Sequence, residues 1–515
     1  MPPSPLTVLR PEHRAPRPLA ELAEAIGLAV HGDAAQAGVT GVAVAASHVH
    51  PGDLYVALQG AHTHGAAFVD EAHERGAVAV LTDPAGLDRV RAAGLTALVA
   101  EHPRAMLGAV SAWVYGTADA AVTLFGVTGT NGKTSTAYLL DAVARQLALR
   151  TGLSTTAERV IDGERSASRL TTPEAPEVHA MIALLAERGI DVATLEVSAQ
   201  ALTRHRVDGV LFDVTGFTNL SHDHLDDYGT MDAYLAAKAQ LFTAERTRQA
   251  VISLDSAYGE RVAALADVPV TTISSRPEVD ADWRLTITAQ EPDRTAFALH
   301  GPEGAVLTSA VPVVGAHMAA NAGLAIVMLV RAGHSLASIQ AAIGDAPIDV
   351  YLPGRAERVS GEGGPAVFVD FGHSADAYAT TLAALRPFTP GRLIVLCAAN
   401  GNRDATKRFD MGRVAAEGSD VVIVTDHHPR LEDPAVIRAA LLEGVRAASS
   451  PVEVHEVVPP EEAIRVAVAM AAPGDTVLWA GPGHLDYRDV GGVKVPFDAR
   501  ALAREALLEA GWPSS

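Results

Sequence analysis

The run Gly126-Val127-Thr128-Gly129-Thr130-Asn131-Gly132-Lys133-Thr134 has the makings of a loop that holds phosphate. Gly129 and Gly132 would let backbone N–H groups turn inward around phosphate oxygens, and Lys133 would add a point charge. The helix that starts there brings the positive end of its dipole, and the Thr134 hydroxyl can ligate Mg²⁺. The usual spacing asks for a glycine at Val127, so the match is imperfect, although its place between a strand and a helix is right. A structural glycine turn would account for the glycines but not for the Lys-Thr pair that follows.

A second feature is Lys238 in MDAYLAAKAQLF, where Met231, Tyr234, Leu235, Leu241 and Phe242 form one helical stripe. Lys238 falls on that stripe. A buried ammonium is costly and would have a lowered pKa, and a neutral amine can capture carbon dioxide as an anionic carbamate. Periodicity leaves open a lysine that snorkels to the helix edge instead. Oxygen and nitrogen ligands lie close in sequence: Glu196 at the end of ATLEVS, and His222, Asp223, His224, Asp226 and Asp227 in NLSHDHLDDYG. Such a set suits Mg²⁺ or Mn²⁺, and no Cys/His spacing points to zinc. Caps and turns in a solvated acidic loop explain the same residues, and the pattern alone does not choose.

The elements that must position these groups alternate strand and helix. Residues 19–118 read as a small α/β domain, with runs such as GVAVAA, DLYVALQG and AVAVLTD and a helix over Pro103–Tyr115. Residues 119–348 open with the strand AAVTLFGV and hold the phosphate loop. Residues 349–515 begin with the extended DVYLPGRAERV and continue as a third α/β unit. Mostly parallel sheets are expected, with ligands beyond the carboxyl ends of their strands. The Pro- and Arg-rich residues 1–18 read as a loose tail.

Bulk composition narrows the function. With 515 residues the chain needs several cores, and a formal net charge of -21 makes nucleic acid a poor partner. One cysteine, Cys397, excludes an intrachain disulfide. No apolar run approaches the roughly 20 residues that span a bilayer, and no signal-peptide core is visible. A cytoplasmic protein off the membrane, acting on small molecules as a monomer, is the expectation.

The segments PGDLYVALQG, GVTGTNGKTS, LTTPE, LEVSAQAL, RVDGVLFDVTGFTNLSHDHLD, AAKAQLF, LPGRAERV, VDFGHSAD, NRDATKRFDMGR, HHPRLEDP and AGPGHLDY, in this order, resemble the Mur ligase family. The resemblance runs from about Val42 to Leu508. It implies a UDP-sugar domain, a central ATPase and a Rossmann-like C-terminal domain that receives the amino acid. By position, Gly129, Thr130, Asn131, Gly132, Lys133, Thr134 and Ser135 would hold the triphosphate. Asn321 would contact adenine, and Arg355, Asp370 and His373 would meet the nucleotide from the C-terminal domain. Thr134, Glu196, His224 and Lys238, the last as N6-carboxylysine, would hold Mg²⁺, with Lys133 beside them. Ser47, Thr171, Thr172, Ser198 and Arg206 would grip a nucleotide-sugar peptide. Arg408, His427, His428, Arg430, Gly481 and Leu485 would line the acceptor pocket. The activity implied is ATP-dependent ligation of a carboxylate, through an acyl phosphate, to the amine of an amino acid, in peptidoglycan precursor synthesis.

Two regions depart from the family. His427-His428-Pro429-Arg430 stands where members that take diaminopimelate carry Asp-Asn-Pro-Arg, and Gly483-His484-Leu485 stands for Gly-His-Glu. Both losses remove acids that could pair with an ammonium, so diaminopimelate is not the expected acceptor. Arg408 and Arg430 persist and could clamp a carboxylate. In the first domain, Ala46-Ser47-His48 replaces Asp-Ser-Arg, and His64-Gly65-Ala66 replaces Asp-Gly-His. A paralogue with altered donor or acceptor, and a silent nucleotide-binding homologue, are the competing readings. Folylpolyglutamate synthase shares the phosphate loop and lysine, but PGDLYVALQG argues against it.

Overall fold

In the first unit the strand Asp53–Ala57 sits between Gly41–Ala43 and Ala79–Thr82, followed by Thr96–Val99, all parallel, with Ala29–His31 antiparallel at the edge. Alternation along the chain buries both faces. Leu54 and Val56 pack toward the helices Leu19–Ile26 and Pro103–Tyr115, while Tyr55 and Ala57 pack toward Val69–Glu74. The computed structural model describes residues 9–34, 37–60, 62–168, 170–344 and 346–515.

The central unit is an 11-stranded sheet. Its parallel heart runs Thr151–Ser154, Val192–Glu196, Thr123–Thr128, Val214–Phe217, Ala250–Ser253. Helices Lys133–Gln146 and Ala316–Arg331 cover one face, and Ala175–Glu187 and Met231–Ala239 the other. The expectation of a mostly parallel sheet holds for this heart but not for its edges. Glu158–Ile161 and Glu164–Ala167 form an antiparallel hairpin, and Arg294–His300 with Val306–Val311 extend the far side. The hairpin turn is Asp162-Gly163, both with positive φ (49° and 83°), the geometry that an Asp-Gly pair favours between strands.

The third unit is a six-stranded sheet in the order Glu357–Arg358, Ala366–Asp370, Thr476–Ala480, Leu393–Cys397, Val421–Val424, Glu453–Glu456. It is parallel apart from the first short strand. Strands buried on both faces read as continuous apolar runs, as LIVLC and VVIV do.

The expected loose tail over residues 1–18 is corrected from Arg10 onward; residues 1–8 lie outside the described residues. Arg10 Nη1 donates to both carboxylate oxygens of the fully buried Asp53, at 2.7 and 2.8 Å. The backbone N–H groups of Glu12 and His13 donate to Glu187, tying the segment to the central unit. A buried carboxylate needs a cation, and the Arg-rich start of the chain supplies it. Among the described residues no helix is long and apolar enough to cross a membrane.

The first two units meet where Gly108 of the helix Pro103–Tyr115 lies against the Asp208 carbonyl, which a Cβ at that position would strike. Gly108→Ala should therefore destabilise the protein by about 1–3 kcal/mol, the usual cost of overpacking, despite the better helix propensity of alanine. Chemical denaturation of the two proteins measures this; an unchanged midpoint would contradict the contact.

Candidate active site

The phosphate loop takes its shape from its glycines and from a neighbouring strand end. The strand Thr123–Thr128 ends at Gly129, and Gly129 and Gly132 adopt φ of 150° and 85° before the helix Lys133–Gln146 begins. A Cβ on Gly132 would lie 2.6 Å from Asn321 Oδ1, so glycine is required by space as well as by dihedral. The segment after the strand Val214–Phe217 clamps the loop: Thr130 N donates to Asn219 O at 2.9 Å, and Thr218 Oγ1 donates to Asn131 O at 2.6 Å. Val127 needs no glycine, because it is an ordinary strand residue paired with Glu196 and Gly216.

Two lysine side chains converge under this loop. Lys133 Nζ donates to the carbonyls of Gly129 (3.0 Å) and Thr130 (2.8 Å), and Lys238 Nζ donates to the same Gly129 carbonyl at 2.8 Å. Lys238 is 1% exposed, which rules out the snorkelling alternative. Burial, with Lys133 as a neighbouring cation, holds its amine well below the ordinary lysine range, against the opposing pull of Asp223. Burial also lowers the pKa of Lys133.

Glu196, at the end of Val192–Glu196 and likewise 1% exposed, accepts from Thr134 Oγ1 at 2.9 Å and from the Thr156 N–H. His224 has a left-handed backbone, φ 56°, and burial lowers its pKa. It also lies close enough to Asp226 and Asp227 for the three to share an ion. Lys133, Glu196, His224 and Lys238 all border one cavity of about 620 Å³.

The C-terminal unit closes over this cavity. Arg355 Nη2 donates to Thr134 Oγ1 at 3.0 Å, and its guanidinium stacks 4.4 Å from the Phe371 ring. His373 and Asn321 border the cavity; burial takes the His373 pKa down to about 4. Asp370 also reaches it, while its oxygens accept from the Ala356 and Gly372 N–H groups at 2.9 and 2.7 Å.

The expected substrate contacts divide. Thr171, Ser198 and Arg206 border the cavity, with Arg206 Nε on Glu174 at 3.0 Å. Thr172 is corrected to a structural role: fully buried, it donates to Glu196 O (2.8 Å) and accepts from Ser198 N (3.0 Å). Ser47 is exposed on a turn of the first unit and does not border this cavity. At the other end, Arg430 and Leu485 border it, joined by Arg403, Asp486 and Tyr487.

Arg408, His427, His428 and Gly481 lie behind that end rather than in it. Arg408, expected as a free clamp, is instead bonded to Glu432 through both terminal nitrogens, at 2.6 and 2.8 Å. His427 Nδ1 is 2.8 Å from Asn400 Oδ1, and His428 Nδ1 accepts from Asp489 N at 2.8 Å. Gly481 makes the left-handed turn (φ 117°) after Thr476–Ala480. Sequence reasoning missed Lys407, Arg403 and Thr156. The first two sit in NRDATKRFDMGR, whose density of charge was the available signal; Thr156 acts through its backbone, which carries none.

A phosphate loop on a parallel sheet, two lysines, a buried glutamate and an arginine from a second domain define a nucleotide-dependent phosphoryl-transfer enzyme that works in a closed cleft. Sequence models described as Mur ligase family, catalytic domain, Mur ligase middle domain, and Mur ligase, glutamate ligase domain match residues 38–115, 127–329 and 354–483. The UDP-N-acetylmuramyl-tripeptide synthetase of Leifsonia xyli is 55% identical over 98% of this chain and 99% of its own. The UDP-N-acetylmuramoyl-L-alanyl-D-glutamate–2,6-diaminopimelate ligase of Streptomyces coelicolor is 44% identical over 97% and 98%. A solved ligase of that diaminopimelate type superposes with TM-score 0.66 at 25% identity, covering 96% of this chain and all of the other. The MurF ligase of Thermotoga maritima with ADP shares the fold, with TM-score 0.62 at 18% identity over 91% and 96%. The chain belongs to the Mur ligase family and is an ATP-dependent, ADP-forming amide ligase.

The histidine pair behind the acceptor end makes stability depend on pH. Burial holds His428 at about 4 and His427 well below its ordinary value. An unfolded imidazole takes its proton near pH 6.5, so below that value the unfolded chain binds more protons than the folded one. The contribution is therefore full above pH 6.5 and is lost as pH falls toward 4. Melting curves at pH 7.5 and 5.0 should show a smaller acid loss in His427→Gln/His428→Gln than in the parent; equal losses would refute the assignment.

Proposed function

We propose that the chain activates the terminal carboxylate of a UDP-N-acetylmuramoyl-dipeptide as an acyl phosphate and joins it to an amino acid, in the cytoplasm, as a step of peptidoglycan precursor synthesis. The observation that carries this reading is the single cavity bordered by the phosphate loop, by Thr171, Ser198 and Arg206, and by Arg403 and Arg430. In this reading residues 19–118 take the nucleotide sugar through the surface around Ser47, residues 119–348 take ATP, and residues 349–515 receive the amino acid.

The fit to ATP rests on the glycine loop, where a Cβ on Gly129 or Gly132 would strike Thr218 or Asn321 and distort the cradle, and on the amines of Lys133 and Lys238, which border the cavity beside it. Asn131, Lys133 and Ser135 would hold the phosphates, Asn321 the base, and Arg355 and His373 the nucleotide from above. Thr134, Glu196, His224 and a carbamate on Lys238 would hold Mg²⁺, which supplies charge neutralisation at the γ-phosphate. Lys238 meets the requirement for such a carbamate, a buried amine with a depressed pKa.

A carboxylate oxygen forms a bond to the γ-phosphorus as the bond to ADP breaks, and Lys133 follows the charge that develops. The neutral amine of the amino acid then adds to the acyl carbon, phosphate leaves, and the ammonium proton is lost to solvent or phosphate. The closed C-terminal unit keeps water from the acyl phosphate. Arg403 and Arg430 would bind the carboxylate of the incoming amino acid. Leu485 offers no partner to a distal ammonium and leaves Asp486 as the carboxylate at that end, so an acceptor with a different side-chain length or charge from diaminopimelate is favoured.

The test is phosphate release from ATP with UDP-N-acetylmuramoyl-dipeptide and a panel of amino acids, with products weighed by mass spectrometry. Turnover should require donor and amino acid together, and diaminopimelate should not be the best substrate. Hydrolysis without donor would sink the ligation reading. Lys238→Ala should lose turnover by about 10³-fold or more, unrestored by bicarbonate, since it removes the ligand itself. A ¹³C-bicarbonate carbamate signal present in the parent and absent in the variant identifies the modification; near-parental rates would exclude it.

A further inference from the structure

The loop that carries His224 is held from the other domain. His224 is not glycine, yet its φ is 56°, a conformation that costs roughly 1–3 kcal/mol and persists only where neighbours enforce it. The Asp227 and Tyr228 N–H groups donate to the His224 carbonyl, both at 3.1 Å, and two side chains hold the amide side. His224 N donates to Asp223 Oδ1 at 2.9 Å, and Leu225 N donates to Asp404 Oδ2 at 3.1 Å. Asp404 belongs to the C-terminal unit.

Asp223 is itself fixed from that unit. Lys407, the first residue of the helix Lys407–Gly418, donates through Nζ to Asp223 Oδ1 at 2.7 Å, with the two side chains 8% and 6% exposed. Asp404 is kept in place by Thr406, whose N–H donates to Oδ1 at 2.9 Å. His222 Nε2 adds a contact of 3.1 Å to Thr406 Oγ1. Both side-chain supports of the strained residue thus end on a short stretch of the opposite domain. If the C-terminal unit moves away, Asp223 keeps its bond to His224 but loses its cation, and Leu225 N loses its acceptor. A buried carboxylate without its cation would turn toward water or toward Lys133 and Lys238.

We propose that Lys407 and Asp404 are positioning residues: seating the C-terminal domain sets the His224 backbone, and with it the imidazole, so that the metal site is complete only in the closed enzyme. The Asp223–Lys407 pair is then a sensor of closure as well as a contact. This arrangement would keep an open enzyme from spending ATP, because phosphoryl transfer needs a ligand that only closure aligns. The inference rests on the reading of His224 as a metal ligand.

The test uses the full chain with Mn²⁺ and ADP, read by pulsed electron paramagnetic resonance. The parent should show coupling of Mn²⁺ to a histidine nitrogen that His224→Gln removes. Lys407→Met should lose that coupling, Lys407→Arg should keep it, and kcat should fall by about 10²-fold in the first with little change in nucleotide affinity. Asp404→Asn, which keeps shape and removes charge, repeats the measurement should Lys407→Met fail to fold. The variant Asp223→Asn/Lys407→Met should be no slower than Lys407→Met alone, as expected of residues acting as one unit. Full coupling and turnover in both Lys407→Met and Asp404→Asn would overturn the inference and leave the His224 reading standing. A parental signal that His224→Gln does not alter would remove both.

Discussion

The carbonyl of Gly129 receives two lysine amines, one from the helix that follows the loop and one from a helix distant in sequence. A carbonyl dipole cannot balance two amines, and of the nearby carboxylates Asp223 is already paired with Lys407, which leaves Glu196, bonded by the Thr134 hydroxyl, to serve both. The site is therefore short of negative charge. A triphosphate, with or without a carbamate on the second lysine, is the kind of guest that relieves it. The Lys238 amine is depressed first by burial and then by the neighbouring Lys133 cation.

That shortage dictates the surrounding architecture. Cations can be held in such proximity only if the backbone beneath them is rigid, and the clamp from Thr218 and Asn219 onto the loop provides the rigidity. Both parts sit at the carboxyl ends of neighbouring parallel strands, where the register of Gly126 with Thr215 and Leu195 brings the loop, Glu196 and Asn219 together. The closing domain adds a third cation, Arg355, directed at the Thr134 hydroxyl. Excess positive charge is tolerable in a cleft whose protein carries a formal net charge of -21 and whose ligand is itself an anion.

Much of this was legible in sequence, for physical reasons that differ by residue. Lys238 could be singled out because an ammonium on an apolar stripe contradicts the stripe, and only burial with a purpose resolves the contradiction. The third sheet could be placed because strands buried on both faces must be continuously apolar. What could not be read was which polar groups face a ligand and which face one another. Arg408 and Thr172 have the chemistry of binding residues, but Glu432 and Ser198 reach them first, and those partners lie 24 and 26 positions away. The antiparallel hairpin was readable from Asp162-Gly163, a turn signal that the alternating strand-helix pattern overshadowed.

The same distinction explains how the acceptor end can differ from its relatives while the phosphate end does not. Arg430 and Asn402 both have left-handed backbones, φ 55° and 48°, and they lean on one another through Leu431 N on Asn402 Oδ1 at 2.9 Å. Arg408–Glu432, His428–Asp489 and Gly401 N on His428 O at 2.8 Å stitch these loops from behind. Residues 408, 427 and 428 thus build the frame on which Arg403 and Arg430 are displayed. A histidine can replace an acid in such a frame when its ring fills the space and a ring nitrogen bonds to a neighbour, as His427 Nδ1 does with Asn400 Oδ1 at 2.8 Å. Substitution there reshapes what the loops present without touching Gly129, Glu196 or Lys238, which belong to the central unit. The phosphate end can stay constant while the acceptor end varies because the residues that differ lie in loops remote from Gly129, Glu196 and Lys238, even though Arg355, Asp404 and Lys407 of the same unit reach across to the phosphate end.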